Sequence, residues 1–255
     1  MNPLFTSPGS KTRLAKTLIS LYPRHHTYIE PFAGGAACFW RKTPSPLEIL
    51  NDYDRDVSQA YQVVRDTTPE QLNDLIARDW IISEQGFATS LTRDPDPIED
   101  TYRFLYRRRA SFGSKEKKLY RTRVGNGIAV PKQLKAQKDR LRGVQVFCGD
   151  GLALMKQHDR PNVFMFLAPP WPGYHWKWKH YEMSALTNLI ETLKGLKHAK
   201  WLYAETTTLD ETHDIPDQFY RMELSYIGTG YQGKKTKRTE LILSNYEVSN
   251  GQNVK

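Results

Sequence analysis

Hydrophobic spacing along the chain alternates between the period of a helix and that of a strand. Residues 14–21 read as an amphipathic helix, whereas 28–32 is a β-branched and aromatic run that stops at Ala33-Gly34-Gly35. A strand therefore enters a glycine turn. From Ala36 the pattern suits a helix to about Trp40, followed by a proline-containing loop and a second short strand, 47–50, closing at Asn51-Asp52. Two strands separated by a helix-sized segment predict parallel βαβ units. Residues 57–105 are mostly helical in pattern, with breaks at Thr67-Thr68-Pro69 and Asp94-Pro95-Asp96-Pro97, and 133–141 is helix-like. Strand patterns return at 144–148, 163–167, 201–204 and 240–243. The sequence thus predicts an α/β core over 1–60 and 143–250, an inserted, mainly helical domain over 61–142, and a polar tail at 251–255.

Composition narrows this picture. A chain of 255 residues can bury a sizeable core, and its longest apolar run, 163–168, is far shorter than the roughly 20 residues a membrane-spanning helix needs. Residues 1–11 show no export signal, and the two cysteines, Cys38 and Cys148, lie far apart, as suits reduced thiols. A soluble, cytoplasmic protein is expected. Charge adds more once it is mapped: residues 102–142 hold fourteen Lys or Arg against two acids, Glu116 and Asp139. That segment alone carries +12 of a net +9, leaving the remainder at −3. A near-neutral body with one basic segment fits a surface that faces a polyanion, although a solvated charged face or an acidic partner would leave the same pattern.

Three constellations could carry chemistry. Glu30-Pro31-Phe32-Ala33-Gly34-Gly35 lies about twenty residues before Asp52, the spacing at which glycines admit a ligand to the backbone and a carboxylate accepts ribose hydroxyls. A third glycine at dinucleotide spacing is absent, which favours a nucleoside cofactor over a pyrophosphate-bearing one. The same residues would also serve an ordinary turn and a surface Asp. Upstream, Ser7-Pro8-Gly9-Ser10-Lys11 opens the first helix with a lysine that can reach an anion or pocket carbonyls. Downstream, Ala168-Pro169-Pro170-Trp171 ends a buried-type strand, because proline cannot continue a ladder. Its neighbour 173–181 interleaves aromatics, Trp176 and Trp178 among them, with cations, as a base-stacking platform or as a lid over the sheet edge. His175 and His180 lack further ligands, so no metal is expected.

In this order the segments resemble the Dam-type DNA adenine methyltransferases of bacteria and phages, across nearly the whole chain. Ser7 to Lys11 resembles that family's N-terminal cofactor motif, Glu30 to Gly35 its Pro-Phe-x-Gly-Gly loop, and Asn51-Asp52 its ribose-binding turn. Phe147-Cys148-Gly149-Asp150 resembles the segment whose acid lies near the cofactor adenine, and 238–246 the closing strand. The resemblance implies a Rossmann-like methyltransferase core that takes S-adenosylmethionine on Ser7, Lys11, Glu30, Pro31, Phe32, Ala33, Gly34, Gly35, Asp52 and Asp150. It implies a target-recognition role for the basic segment, with double-stranded DNA as partner and Arg107, Arg108, Arg109, Ser111, Lys132, Lys135, Trp176 and Trp178 as candidate contacts, in a bacterial or phage-infected cell. It also implies that a flipped adenine meets Pro169, Pro170 and Trp171.

One position departs from the pattern. The family has Asp where this chain has Ala168, and that Asp, with the carbonyl of the first proline, accepts the adenine amino group's hydrogen bonds. An impaired enzyme is therefore expected, from a replacement introduced to trap substrate or, less in keeping with the intact surroundings, from natural loss. RNA adenine methylation and non-catalytic nucleic-acid binding on the same fold are the alternatives.

Overall fold

The structure is a computed structural model that describes residues 1–170, 183–206, 215–229 and 235–248. In chain order the described residues form α1 (Ala15–Ser20), β1 (Thr27–Glu30), β2 (Leu47–Asp52), α2 (Arg55–Asp66), α3 (Pro69–Ala77), α4 (Glu84–Thr89) and α5 (Pro97–Ala110). Short 3-10 turns lead to α6 (Leu134–Leu141), β3 (Gln145–Cys148), α7 (Gly151–Gln157) and β4 (Val163–Leu167). The chain then forms α8 (Met183–Gly195), β5 (Lys200–Thr206), β6 (Tyr220–Thr229) and β7 (Lys235–Ser244). The breaks in the sequence pattern are the helix caps. Thr68 and Gln71 form a capping box with Pro69 in the first turn of α3, and Asp96 accepts from the N–H groups of Ile98 and Glu99 ahead of α5.

The sheet runs β3-β2-β1-β4-β5-β7-β6. β4 pairs parallel with β1 and with β5, while β7 runs antiparallel to β5 and to β6. β4 is buried along its whole length, as expected of a central strand with both faces covered. Strand order reverses between β1 and β4, and open α/β sheets leave a crevice at the carboxyl ends of such a pair.

Compactness divides the chain into two units, one of residues 1–10, 33–41 and 50–149, the other of 11–32, 42–49 and 150–255. In the first, α2 buries Val57, Ala60, Tyr61 and Val64 and packs on α5 and α6. Phe5 meets Phe104 edge-on at 5.0 Å and Tyr61 at 5.4 Å. In the second, Ile29, Met155, Met165, Leu167, Leu189, Trp201 and Leu241 form the core, each large side chain contributing about 1.5–3 kcal/mol of burial. These boundaries differ from the partition at 60 and 143. The glycine loop and α2 join the helical region because α2's apolar face is spent on α5 and α6.

Two local expectations are corrected. Residues 36–40 form turns instead of a helix, since Gly34 at φ 46° and Ala36 at φ 47° hold the chain in the left-handed region. The strand Tyr220–Thr229 was not anticipated. It alternates exposed Arg221, Glu223 and Ser225 with half-buried Met222, Leu224 and Tyr226, a weak two-residue period diluted by polar side chains.

Candidate active site

In the first unit the glycine loop is tied to the end of β2 by a closed set of hydrogen bonds. Gly34 donates its N–H to Asp52 Oδ2 at 2.7 Å, and Asp54 donates its N–H to Oδ1 at 2.9 Å. Tyr61 donates its hydroxyl to the Gly34 carbonyl at 2.7 Å, and Asn51 Nδ2 donates to the Gly149 carbonyl at 3.0 Å. At position 35 a Cβ would stand 3.1 Å from the Phe5 carbonyl oxygen and 3.6 Å from Ser7 Oγ, so the loop packs closely there. Asp52 is partly exposed. Burial raises its carboxyl to about 6, against the two backbone N–H groups that lower it. Each oxygen, having accepted one N–H, keeps a second lone pair that a hydroxyl can use. Beside it Tyr53 is 74% exposed, an aromatic face that sequence reasoning passed over although it directly follows the strand-end acid.

In the second unit the remaining cofactor candidates have mixed roles. Glu30 is buried and accepts the Tyr28 hydroxyl at 2.7 Å. Pro31 and Phe32 lie against Gly151, where a Cβ would fall 2.9 Å from the Pro31 carbonyl oxygen and 2.7 Å from the Phe32 ring, so only glycine lets the loop settle there. Asp150 is exposed and caps α7 by accepting from Leu152 N–H at 2.9 Å. Lys11 is buried, its ammonium donating to Glu240 Oε2 at 2.7 Å, while the Tyr226 hydroxyl donates to Glu240 Oε1 at 3.2 Å.

The strand ends of β4 and β5 lie next to that pair in the same unit. Ala168 is partly exposed, Pro169 buried and Pro170 partly exposed; Trp171, Trp176 and Trp178 lie outside the described residues. Leu167 and Tyr203 are the last pair of the parallel β4–β5 ladder, and Pro169 and Glu205 each stand two residues beyond it in their own chain segment. Glu205 is 1% exposed, and both its carboxyl oxygens are buried with no hydrogen-bond partner among the described residues. Burial pushes its carboxyl up to about 8, with Lys11 lowering it and Glu240 raising it. No sequence signal singled Glu205 out, because it ends a run that reads as ordinary strand.

The basic segment in the first unit divides into two sets. Arg107 and Arg108, expected as DNA contacts, are instead buried in ion pairs. Arg107 bonds Glu116 at 2.8 Å, Asp56 at 3.3 Å and the Ser90 carbonyl, and Arg108 meets Glu116 at 2.7 Å. Ser111 is also buried, its hydroxyl accepting from Glu116 N–H at 3.0 Å. These side chains hold the turn around Glu116. Arg109 is partly exposed and reaches the Pro3 carbonyl at 3.4 Å, while Lys132 and Lys135 are exposed. Among the described residues no group of three His, Cys, Asp or Glu is placed to hold a metal, and neither Cys38 nor Cys148 forms a disulfide.

The profile of the D12 class of N6 adenine-specific DNA methyltransferases matches residues 7–227. The chain belongs to that family. A "Type II methyltransferase M1.LlaDCHI" of Lactococcus lactis subsp. cremoris is 26% identical over 140 residues, 51% of this chain and 47% of that protein. The chain thus spans about half the length of that curated relative. Among solved structures, an Escherichia coli protein described as "Putative methyltransferase yhhF" is similar at 13% identity over 95% of this chain and 90% of its own, with a TM-score of 0.41. A Pyrococcus horikoshii protein described as a "putative RNA methyltransferase" is similar at 11% identity, 97% and 87% coverage, and a TM-score of 0.43. The D12 profile takes in the glycine loop, Asp52, the basic segment and Ala168 to Pro170 in one span. Among the described residues of this chain no helix is long and apolar enough to cross a membrane.

Proposed function

We propose that the chain transfers a methyl group from S-adenosylmethionine to the exocyclic amino group of adenine at specific sites in double-stranded DNA, in the cytoplasm of a bacterial or phage-infected cell. The observation that carries this reading is the Asp52–Gly34 clamp, within a chain whose family methylates adenine in DNA. The clamp fits a nucleoside: the carboxylate has acceptor capacity for ribose hydroxyls, and Tyr53 offers a ring face. Ser7, Ala33, Gly34, Gly35 and Asp52 are the proposed contacts in the first unit. Lys11, Glu30, Pro31, Phe32 and Asp150 follow from the order of the family's motifs. When bound, S-adenosylmethionine supplies an electrophilic methyl group on a positively charged sulfur.

The amino nitrogen of adenine is a poor nucleophile because its lone pair is delocalised into the ring. Hydrogen-bond acceptors aimed at its protons turn that lone pair outward and offset the positive charge that develops. Pro169 supplies a carbonyl, Pro170 and Trp171 would flank the base, and Ala168 supplies no side-chain acceptor. For the duplex, Lys132, Lys135 and Arg109 are the proposed phosphate contacts, with Trp176 and Trp178 near the base. Arg107, Arg108 and Ser111 are not carried into this interface, because their polar groups already serve the turn around Glu116.

Ala168→Asp is the test. Single-turnover transfer of labelled methyl groups to a randomised duplex library should rise about a hundred- to thousandfold over the parent chain, with duplex affinity nearly unchanged. Transfer to structured RNA in preference to duplex would move the substrate class. A chain that folds, binds duplex and transfers nothing in either form would leave the non-catalytic binder as the better account.

A further inference from the structure

We infer that Glu205, at the carboxyl end of β5, supplies the side-chain acceptor for the target amino group that Ala168 cannot, so that the parent chain is a slow methyltransferase with a relocated acid. This rests on the function proposed above. Two observations in the second unit converge on it. Glu205 and Pro169, whose carbonyl is the other arm of the expected clamp, each follow the last β4–β5 pair, Leu167 with Tyr203, by two residues. Adjacent strands lie about 4.8 Å apart, a span that a glutamate side chain covers. Both carboxyl oxygens are buried and lack a hydrogen-bond partner among the described residues, whereas buried polar groups are nearly always paired. One N–H of the amino group would satisfy one of them while the Pro169 carbonyl takes the other N–H.

The charged groups acting on Glu205 are Lys11, which precedes α1, and Glu240 on β7. Lys11 is itself paired to Glu240, and Tyr226 on β6 donates to Glu240 as well. Glu240 is thereby engaged from two sides, which leaves Glu205 as the carboxyl with unmet capacity. Its role balances chemically. The adenine nitrogen gains a methyl group and loses one proton, Glu205 takes that proton on a carboxylate oxygen, and the sulfur that gave up the methyl becomes neutral. A carboxyl raised to about 8 is a better proton acceptor once ionised than an ordinary carboxylate, at the cost of being mostly protonated at neutral pH. Transfer by the parent chain should therefore rise up to tenfold per pH unit below about 8 and level off above it.

The experiment compares the parent, Glu205→Gln, Ala168→Asp and the double variant. Single-turnover transfer in the parent should fall by about a hundredfold in Glu205→Gln, and the double variant should match Ala168→Asp, since the restored acid makes Glu205 dispensable. A binding readout stands apart from turnover. Once the products of Ala168→Asp reveal the methylated site, duplexes carrying adenine or purine at that position are compared for affinity in the presence of the demethylated cofactor. The parent should prefer adenine by roughly tenfold, a preference that Glu205→Gln loses. If Ala168→Asp transfers methyl groups while Glu205→Gln leaves both parent rate and adenine preference unchanged, the relocated acid is wrong and the methyltransferase reading stands. If the parent is inert while Ala168→Asp is active, the relocated acid is likewise overturned. If neither transfers to any sequence, both readings fall together.

Discussion

Asp52 in the first unit and Glu205 in the second are held in opposite ways. At the end of β2, Asp52 meets two backbone N–H groups, and the loop it anchors is closed again by Tyr61. At the end of β5, Glu205 is more deeply buried and has no hydrogen-bond partner among the described residues. Preorganised backbone can hold a ligand without rearrangement, so the first arrangement suits ground-state binding. The second leaves a polar demand, unmet among the described residues, that an incoming donor can meet, which suits a contact made as the reaction proceeds.

The largest test of this contrast lies in the basic segment, where burial and charge also meet. Arg108 is 2% exposed and pairs with Glu116. Removing one partner of a buried ion pair strands the other, at about 3–5 kcal/mol. Arg108→Ala should lower the stability of the chain by that amount in denaturant melts. A loss below about 1 kcal/mol would show the pair to be a solvated one and return Arg108 to the list of candidate DNA contacts.

The next effect belongs to Glu205 and is a matter of sign. Its carboxyl is raised from 4.5 to about 8, so between those values the folded chain keeps a proton that the unfolded chain has released. Stability is therefore lost as pH rises through this window. Glu205→Gln removes the slope, and its stability relative to the parent should climb by up to about 1.4 kcal/mol per pH unit from about 4.5 to about 8. Parallel stability curves for the two proteins would mean that the carboxyl is solvated, and the contrast between the units would dissolve.

Asp52 should show a smaller effect, in binding instead of stability. Asp52→Ala removes the proposed ribose acceptor and should weaken S-adenosylmethionine by about 1.5–3 kcal/mol in calorimetry, the range for a hydrogen bond to a charged group. Because its carboxyl is raised to about 6, affinity in the parent should improve as pH rises through 6, and that dependence should vanish in the variant. Equal affinity in both would place the ribose elsewhere.

These contrasts explain what the sequence could and could not reveal. Thr68, Asp96 and the prolines beside them were legible as breaks because capping is local chemistry, fixed within four residues. The glycine loop and Asp52 were legible for the same reason, as glycines and a strand-end acid at a set spacing. Ala168 stood out only against the family's pattern. Glu205 was not legible, since its meaning comes from β4 alongside it and from Lys11, 194 residues away along the chain. The burial of Arg107 and Arg108 was hidden for a related reason. A run of arginines looks solvent-facing until Asp56 and Glu116 are brought against it by folding. Net charge locates a basic segment but not which of its cations remain available.

Lys132 and Lys135 sharpen that last distinction with the smallest expected effect. Both are exposed, Lys132 at the end of a 3-10 turn and Lys135 in the first turn of α6, so their ammonium groups can reach a polyanion without breaking a buried pair. Each phosphate contact releases condensed counterions and contributes about 0.9 to the slope of log affinity against log salt. Lys132→Ala with Lys135→Ala should therefore flatten the slope by about 2, weaken duplex binding severalfold at physiological salt, and leave the melting curve within about 0.5 kcal/mol of the parent. Arg109→Ala supplies the comparison, because its guanidinium is only partly exposed and already touches the Pro3 carbonyl. If the double lysine variant keeps the parent's salt slope while Arg109→Ala flattens it, the duplex lies along the arginine end of α5, and the exposed lysines are no more than a solvated face.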